Sequence, residues 1–308
     1  MTPTVVLGKT GGGIHMLHEK TILPPPWMAL PEIERGSMHW RMGIGEAYLE
    51  KWYAWYRLLS ESEKQEYLRL FPEPLPWLGY ITGVPECEFL HRGKLYVDLW
   101  RENGKPKYTR QKAVNAFRRG ELPELYPFWG HHPAKGGTVD RSCMSQWWKS
   151  HFMFNGVRYC CMEQCMMAGK ARVFQDEEAL AQIMASEDPK EIKALGRAVR
   201  NFDGKQWDEV KYSLVLTGNY NKFSQNKALR GFLLSTGESL LVEASPYDRI
   251  WGIGLSADDS RIHDPAQWRG ENLLGFALME VRDEIRRTYQ NEHLCADPWD
   301  PAEYGCEK

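Results

Sequence analysis

An acid and an amine that could act together on a substrate share one face of a predicted helix. In YCCMEQCMMAGKARVF, residues 159–174, Glu163 and Lys170 are seven positions apart, a spacing that returns to the same side of a helix. Such a pair could do acid–base or nucleophilic chemistry, or it could be the solvated pair of an ordinary surface helix. Because the adjoining face is also apolar, burial of at least one charge is favoured.

A carboxylate and a large aromatic residue lie three positions apart in a predicted loop. The segment LVEASPYDRIWGIGL, residues 241–255, is too rich in proline and glycine to continue as one helix or strand. A loop after a strand is a usual place for a catalytic group, which makes Asp248 and Trp251 candidates. The alternative is that Asp248 caps the turn beginning at Pro246 and that Trp251 belongs to the core.

Two further segments place polar side chains at predicted helix starts. Lys222, Gln225 and Asn226 precede a helix whose free N–H groups and dipole would favour an anion such as phosphate. Asn272 stands at the start of the closing helix in WRGENLLGFALMEVR. Residues of these types could bind a ligand, or they could only cap the helix.

Several common catalytic motifs are missing from the sequence. GGGIHMLH lacks the context and the Lys-Ser/Thr pair of a P-loop, and no GxGxxG opens a βαβ unit. No HExxH or spaced carboxylate completes a metal site with His15 and His18, or with His131 and His132. GxSxG is missing too, which argues against a serine hydrolase. We therefore predict no metal site and no Rossmann-type nucleotide binding.

Helix signals dominate the segments that must position these residues. In SEDPKEIKALGRAVRNF, Asp188 supplies an N-cap acceptor, followed by Pro189 at the first helical position and Glu191 at the third. The apolar face of this helix is predicted to contain Ile192, Leu195, Val199 and Phe202. Apolar spacing predicts further helices over 159–172, 176–187, 207–217, 226–235 and 271–287.

Strand signals are few. SLLVEA (239–244) and FNGVRYC (154–160) are the candidates in the second half. The first half is predicted to contain one long helix from Glu46 to Phe71, a helix over 109–119 and a strand over 94–100. The apolar face of the long helix would consist of Tyr48, Trp52, Trp55, Leu58 and Leu59. The predicted fold is a predominantly α-helical bundle with a small β element, α+β overall.

The composition indicates a substantial core without a strong overall charge. Apolar residues make up 43% of the 308 residues, and the net charge of −2 argues against a polycation that binds nucleic acid or anionic lipid through its overall charge. Seven cysteines without a CxxC pair favour reduced thiols. The sequence contains no run of 18 apolar residues and no leader pattern, so we predict a cytoplasmic protein without a membrane segment.

The character of the sequence changes near residue 125. Residues 1–125 show few strongly periodic segments and no motif, whereas 126–290 are rich in helix signals. We predict an N-terminal accessory region over 1–125, a helical domain over 126–290 and a C-terminal surface extension over 291–308.

Six segments of the helical domain together resemble the YbiA-like family, also called NADAR. In chain order they are PFWG (127–130), SQWWKSHFMFNGVRYCCMEQCMMAGKA (145–171), DPKEIKALGRAVRNFD (188–203), KFSQNKALRGFLLSTG (222–237), LVEASPYDRIWGIGL (241–255) and WRGENLLGFALMEVR (268–282). The resemblance covers residues 126–290 and does not extend into the first 125.

The resemblance implies hydrolysis of an N-glycosidic bond between a ribose carbon and an amine or base nitrogen, without a cofactor. Two substrate classes are implied: ADP-ribose attached to guanine, including guanine in DNA or RNA, and phosphoribosylamino-pyrimidine intermediates of riboflavin synthesis. We favour the first, because the extra N-terminal region could help to hold a larger substrate. The alternative outside the enzymes is an ADP-ribose or nucleotide-binding module without turnover.

Three side chains carry the chemistry that the resemblance implies. The E-x6-K helix of the family corresponds to Glu163 and Lys170, and its SPxDxIWG loop contains Asp248. Cleavage at an anomeric carbon passes through a cation-like sugar, which needs a nearby carboxylate. Glu163 would stabilise that cation or orient water while Asp248 would hold the sugar hydroxyls or share the acid–base work, and these roles could be exchanged. Lys170 could instead attack C1′ and form an imine.

The implied substrate-binding residues are Trp129, Trp148, Lys222, Asn226, Arg249, Trp251 and Asn272. The tryptophans would stack on a base or sugar face, and the lysine and arginine would bind phosphate. After the SQW position, family members often have Tyr-Pro-Ser-Pro-Phe or Asn-Phe-Tyr-Pro, whereas this chain has WWKSHF (147–152), which changes the lip of the expected pocket.

Overall fold

The computed structural model describes residues 21–83, 106–131 and 138–297. Two compact units divide these residues between them. One contains the described residues up to Ile81 together with those from Arg287 onward, and the other extends from Thr82 to Arg286. The predicted strand over 94–100 lies outside the described residues.

The described part of the first unit contains three α-helices, and a serine divides a stretch that was predicted as one helix. The helices are α1 (Pro26–Ala29), α2 (Gly43–Arg57) and α3 (Glu61–Leu70). The prediction of one helix over 46–71 is wrong because Ser60 and Glu63 form a capping box, in which the Ser60 N–H donates to the Glu63 carboxylate at 2.7 Å. Leu58 therefore leaves the predicted apolar face and is 82% exposed.

Aromatic rings and a returning C-terminal segment form the interior of the first unit. Trp52 is fully buried, and its Nε1 donates to the hydroxyl of the buried Tyr67 at 3.0 Å. The N–H of Ala296 donates to the carbonyl of Ile22 at 2.9 Å. Residues 291–297, which were predicted to begin a surface extension, are thus bonded to the first unit.

The described part of the second unit contains seven α-helices, most of which start or end near their predicted positions. They are α4 (Arg110–Arg118), α5 (Met162–Val173), α6 (Glu177–Ala185), α7 (Pro189–Arg197), α8 (Gly204–Ser224), α9 (Lys227–Ser235) and α10 (Leu273–Tyr289), which crosses into the first unit at its end. The Asp188 side chain accepts the Lys190 N–H at 3.0 Å, so the predicted cap of α7 is confirmed. Phe202 lies beyond the end of α7 and is exposed, contrary to prediction.

The closing helix, α10, buries one apolar face. Its members Leu274, Leu278, Val281 and Ile285 are all fully buried. No helix in the described ranges is long and apolar enough to cross a membrane.

Helix α5 lies at the centre of the second unit, packed against α6, α7 and α8. Methionines of α5 fill space that glycines leave on the neighbouring helices. A Cβ at Gly196 of α7 would come 1.9 Å from the Met167 sulfur, and one at Gly218 of α8 would come 2.6 Å from the Met162 methyl carbon. Because no larger residue fits without displacing a side chain, these contacts fix the position of α5 against α7 and α8.

Two small sheets accompany the helices, which makes the fold α+β as predicted. The strands are β1 (Leu125–Phe128), β2 (Phe152–Phe154), β3 (Val157–Tyr159) and β4 (Leu240–Glu243). Strands β1 and β4 are parallel, with Phe128 opposite Glu243. The single strand predicted over 154–160 is instead part of the β2–β3 hairpin. Its turn is Asn155–Gly156, where both φ angles are positive, as an Asn-Gly hairpin turn requires.

The segment that leads into α4 belongs to the second unit. The Arg110 Nε donates to the carbonyl of Pro265 at 3.0 Å, and the Tyr108 hydroxyl donates to the carboxylate of Asp283 at 2.7 Å. Residues from 106 onward therefore pack with the helical domain, whereas the sequence placed its start at residue 126.

Candidate active site

Glu163 is buried at the start of the central helix. It is the second residue of α5 and is 2% exposed. Its backbone N–H donates to the carbonyl of Gln146 at 2.8 Å, which ties the start of α5 to the segment before β2. Its Oε1 is buried and has no hydrogen-bond partner among the described residues. A buried carboxylate oxygen without a donor destabilises the fold, and this is typical of a group kept for chemistry.

Glu243 is a second buried carboxyl group, one that the sequence analysis did not select. It ends β4, and its Oε2 is also buried without a hydrogen-bond partner in the part of the chain that is described. Its backbone is held on both sides. The Glu243 N–H donates to the Asn272 Oδ1 at 2.9 Å, and its carbonyl accepts the Ile253 N–H at 3.0 Å.

The charges around Glu163 show which groups share its environment. Burial raises the pKa of Glu163 to about 7. The cation of Lys193, the side chain of Trp147 and the cation of Arg197 act against this rise. The negative charge of Asp248 adds to it. The protonated and the ionised form of the Glu163 carboxyl group are therefore both populated near neutral pH.

Glu243 belongs to the same electrostatic cluster. The pKa of Glu243 is raised to about 8, mainly by burial; the charges of Asp248 and Glu163 add to the rise, and the cation of Lys193 acts against it. Because the two carboxyl groups repel each other's charge, ionisation of one favours retention of the proton by the other. A proton donor and an anion are thereby available in the same place.

The loop that carries Asp248 is fixed by its own turn and by the start of α10. The Asp248 Oδ1 accepts the N–H groups of Ile250 at 2.9 Å and of Trp251 at 2.8 Å. Asp248 thus caps its turn, as one of the two predicted alternatives required, and its Oδ2 has no bond to the described residues. The carbonyls of residues 249–252 accept the N–H groups of residues 271–274 at 3.0 to 3.2 Å. The N–H groups at the start of α10 are therefore hydrogen-bonded to this loop.

The side-chain amide of Asn272 bonds to the backbone of β4 as a neighbouring strand would. Its Oδ1 accepts the Glu243 N–H, and its Nδ2 donates to the carbonyl of Leu241 at 2.9 Å. The residue is fully buried and has a φ of 57°. Both ends of the amide are used within the protein, so Asn272 positions Glu243, whereas the sequence analysis assigned it to the substrate.

A lysine and an indole ring complete the surroundings of the carboxyl groups. The Lys193 Nζ of α7 lies 5.5 Å from the centroid of the Trp147 ring. The His131 ring, which follows β1, lies 5.1 Å from the same indole. Trp147 therefore lies between the exit of β1 and helix α7.

Lys170 lies at the opposite end of α5 from Glu163. Seven residues of helix separate the two positions by about 10 Å. The Lys170 Nζ donates to the carbonyl of Gly196 at 2.7 Å and lies 4.1 Å from the centroid of the Phe202 ring. Burial lowers the pKa of Lys170, and no carboxylate of the cluster contributes to that shift. The Lys170 ammonium is thus bonded to the backbone of α7, and not to Glu163 or Asp248.

Lys222 and Asn226 bind backbone carbonyl groups of the protein. Lys222 is 0% exposed, and its Nζ donates to the carbonyls of Cys143 at 2.7 Å and of Ser145 at 2.9 Å. The Nδ2 of Asn226 donates to the carbonyl of Lys222 at 2.8 Å. Both side chains are thus bonded to backbone carbonyls at the helix junction where the sequence predicted a phosphate site.

The predicted tryptophans and Arg249 differ in their access to a substrate. Trp129 is 56% exposed just past the end of β1, Trp148 is half-buried, and Arg249 is exposed. Trp251 is 8% exposed, so its ring packs inside the protein and offers little stacking surface. Because β1 and β4 are parallel, Trp129 and Glu243 both lie at the carboxyl end of that sheet.

A family model described as the NADAR domain matches residues 127–286, about half of the chain. The chain belongs to the NADAR family. The match ends four residues before the domain end that the sequence suggested and lies within the second compact unit.

Relatives of this NADAR domain occur in a virus, an animal and bacteria. N-glycosidase R617 of Acanthamoeba polyphaga mimivirus is 43% identical over 50% of this chain and 93% of its own length. Protein irg-1 of Caenorhabditis elegans is 38% identical over 42% of this chain and 62% of its own length. N-glycosidase Npun_R5314 of Nostoc punctiforme is 34% identical over 44% of this chain and 84% of its own length. The solution NMR structure of Escherichia coli YbiA shares 25% identity with this chain, has a TM-score of 0.43, and covers 53% of this chain and 86% of its own.

The NADAR domain thus contains three site residues that sequence reasoning missed. Glu243 could have been selected from the sequence, because it is a carboxylate at the end of an otherwise apolar strand, just before the SPxD loop. Lys193 and Trp147 gave none, because their relation to Glu163 depends on helix packing. No three His, Cys, Asp or Glu side chains in the described ranges are grouped so that they could hold a metal ion.

Proposed function

We propose that the protein is an N-glycosidase that hydrolyses the bond between a ribose C1′ and a nitrogen, most specifically the bond between ADP-ribose and guanine. The buried pair of Glu163 and Glu243 carries this proposal. Each has an unpartnered oxygen, and their raised pKa values make one an anion and the other an acid near neutral pH. The mimiviral and Nostoc relatives are both named N-glycosidases.

The two carboxyl groups supply both halves of the reaction. Glu243 in its protonated form gives its proton to the departing nitrogen as the C1′–N bond breaks. Glu163 as the anion faces the cation-like sugar and accepts a proton from the water that attacks C1′. The products are the free sugar and the protonated base, and transfer of the proton from Glu163 back to Glu243 restores the starting state.

Asp248 holds the sugar in this scheme. Its Oδ1 is committed to the turn, so its Oδ2 is the acceptor available for ribose hydroxyl groups. This divides the two predicted carboxylate roles: Glu163 acts at C1′, and Asp248 orients the ring. Glu243 replaces Lys170 as the third participant.

The exposed Trp129 favours ADP-ribosylated guanine over a ribosylaminopyrimidine phosphate. ADP-ribosylated guanine carries two ring systems, and an indole at the carboxyl end of β1 offers a stacking face to the one outside the reaction centre. A ribosylaminopyrimidine phosphate carries a single ring, which would leave Trp129 without a partner.

The direct test is turnover of three substrates by the full chain. ADP-ribosylated guanosine, an ADP-ribosylated oligonucleotide and the ribosylaminopyrimidine phosphate are incubated separately, and the released base is measured. The Glu163→Gln variant is the matched control, because it keeps the side-chain volume and removes the anion. Release from the ADP-ribosylated substrates supports the proposal, whereas release only from the pyrimidine transfers the activity to that class. Calorimetric binding of ADP-ribose without release from any substrate identifies a binding module.

A further inference from the structure

Lys193 places a cation near the buried carboxyl groups without an ion pair to either. It is half-buried on α7, and its Nζ lies 5.5 Å from the Trp147 ring centroid. No described carboxylate oxygen lies within the 4.0 Å that defines an ion pair with it. Its charge nevertheless acts on both Glu163 and Glu243. The ammonium of Lys193 thus influences two carboxyl groups without pairing with either.

The position of Lys193 follows from the packing of α7 against α5. The close contact of Gly196 with Met167 fixes how the two helices lie. Lys193 is three residues before Gly196 on α7, and the ring it lies over, Trp147, is next to Gln146, whose carbonyl accepts the Glu163 N–H. The ring of Trp147 limits the directions that the long side chain can take, which gives a flexible ammonium a defined place.

The groups that bear on Glu163 come from several elements. Glu243 ends β4, Asp248 is on the following loop, and Lys193 and Arg197 are on α7. The Cys161 thiol lies just before α5, and its pKa is raised by its contact with Cys160, by burial and, to a smaller extent, by the charge of Glu163. Arg197 is exposed, so solvent screens its effect more than that of the half-buried Lys193.

We propose that Lys193 is the positioning cation of the active site, keeping Glu163 as the anion that faces the sugar cation. This proposal rests on the proposed N-glycosidase function and adds a residue to it. Lys193 acts through Glu163 and does not itself attack the substrate. The cation also favours release of the proton that Glu163 accepts from water, which readies the site for the next turnover.

Three variants test this role through the pH dependence of kcat/KM. Lys193→Met removes the charge and keeps the stem, and Lys193→Arg keeps the charge. Lys190→Met is the matched control, because Lys190 is an exposed lysine one turn earlier on the same helix. In Lys193→Met we expect both limbs of the pH profile to move upward by about one pH unit. At neutral pH this shift lowers kcat/KM about fivefold, since less Glu163 is ionised.

The outcomes separate an electrostatic role from a structural one. Lys193→Arg and Lys190→Met should keep the wild-type profile. A Lys193→Met profile that is lower but not displaced would overturn the proposal, because a packing defect reduces activity without moving a titration. Equal loss in Lys193→Arg and Lys193→Met would overturn it as well.

A substrate-free measurement separates failure of this inference from failure of the proposed function. Carboxyl carbon NMR of glutamate-labelled protein follows the titration of Glu163 and Glu243, assigned with the Glu163→Gln and Glu243→Gln variants. If none of the substrates is cleaved but both titrations move upward in Lys193→Met, the N-glycosidase proposal fails and the role of Lys193 stands. If the substrates are cleaved and the titrations do not move, the reverse holds.

Discussion

The side-chain amide of Asn272 holds Glu243 by its backbone, with the Asn272 Oδ1 2.9 Å from the Glu243 nitrogen. The other end of the same amide donates to the carbonyl of Leu241. Two bonds from one buried side chain thus fix the end of β4, and with it the direction of a carboxyl group that is proposed to be the acid. The edge of a two-stranded sheet becomes a rigid support without a third strand.

Asn272→Asp should therefore reduce both stability and turnover. The new carboxylate cannot donate to the Leu241 carbonyl and repels it, which we expect to lower the free energy of unfolding by about 1–3 kcal/mol. Displacement of Glu243 should lower kcat/KM about tenfold or more. Thermal unfolding and steady-state kinetics check both effects. Asn201→Asp is the control, since Asn201 also has a positive φ, of 55°, but is exposed. Unchanged stability in Asn272→Asp would contradict the clamp.

The activity of the wild-type protein should have a bell-shaped pH dependence. Glu163 must be ionised, so activity falls below its pKa of about 7. Glu243 must be protonated, so activity falls above its pKa of about 8. Glu243→Gln should lower kcat about a hundredfold or more and remove the alkaline limb, while Glu163→Gln should abolish turnover. The measurement is kcat/KM from about pH 5 to about pH 10. Activity that stays constant across this range would exclude the pair as the acid and the anion.

The stability of the protein should also depend on pH through Glu243, and it should fall as the pH rises. Its folded pKa is raised from an ordinary 4.5 to about 8, so the folded state keeps a proton that the unfolded chain releases. This stabilisation is complete below pH 4.5 and is lost as the pH rises to about 8. Glu243→Gln should thus unfold about 4 °C higher than the wild type in alkaline buffer, with little difference in acid. Glu209→Gln, an exposed control, should show no such pH dependence. Equal melting temperatures at alkaline pH would argue against a buried, titrating Glu243.

Local signals predicted the helices well where the chain itself supplies the caps. The Asp188–Pro189 start of α7 and the buried face of α10 depend on neighbours in sequence, so spacing alone identifies them. Helix α8 was predicted to end at 217 but continues to Ser224. Its last turns contain polar residues typical of a loop, and these are accommodated because Asn221 donates to the Thr217 carbonyl four residues earlier.

The site was only half visible in the sequence for a related reason. Glu163 and Asp248 stand in recognisable patterns, and the structure brings them into one cluster. Glu243 becomes a site residue only because β4 pairs with β1, more than a hundred residues earlier, and this register has no local signature. Lys222 was assigned to phosphate because it precedes a predicted helix N-terminus, which favours an anion. Its burial against two carbonyls depends on the tertiary fold.

Lys170→Met tests whether the reaction needs an amine on α5. The Lys170 Nζ is bonded to the Gly196 carbonyl and lies over the Phe202 ring, so we expect a structural role. Loss of both contacts should lower the free energy of unfolding by about 1–2 kcal/mol, while turnover stays within severalfold of the wild type. Borohydride treatment during turnover provides the complementary measurement. Abolished turnover in a folded Lys170→Met protein, together with a reduced adduct at Lys170 in the wild type, would establish the imine route instead.

Trp129 should discriminate between the two substrate classes. Its indole is 56% exposed at the carboxyl end of β1, on the same sheet edge as Glu243. Stacking on a base contributes about 1–3 kcal/mol, so Trp129→Ala should lower kcat/KM for ADP-ribosylated guanosine by about 5- to 100-fold. The same variant should cleave the single-ring pyrimidine substrate, if that is cleaved at all, as the wild type does. Phe117→Ala is the control, because Phe117 is an exposed aromatic residue on α4. Equal losses on both substrates would mean that Trp129 supports the site without selecting the larger ligand.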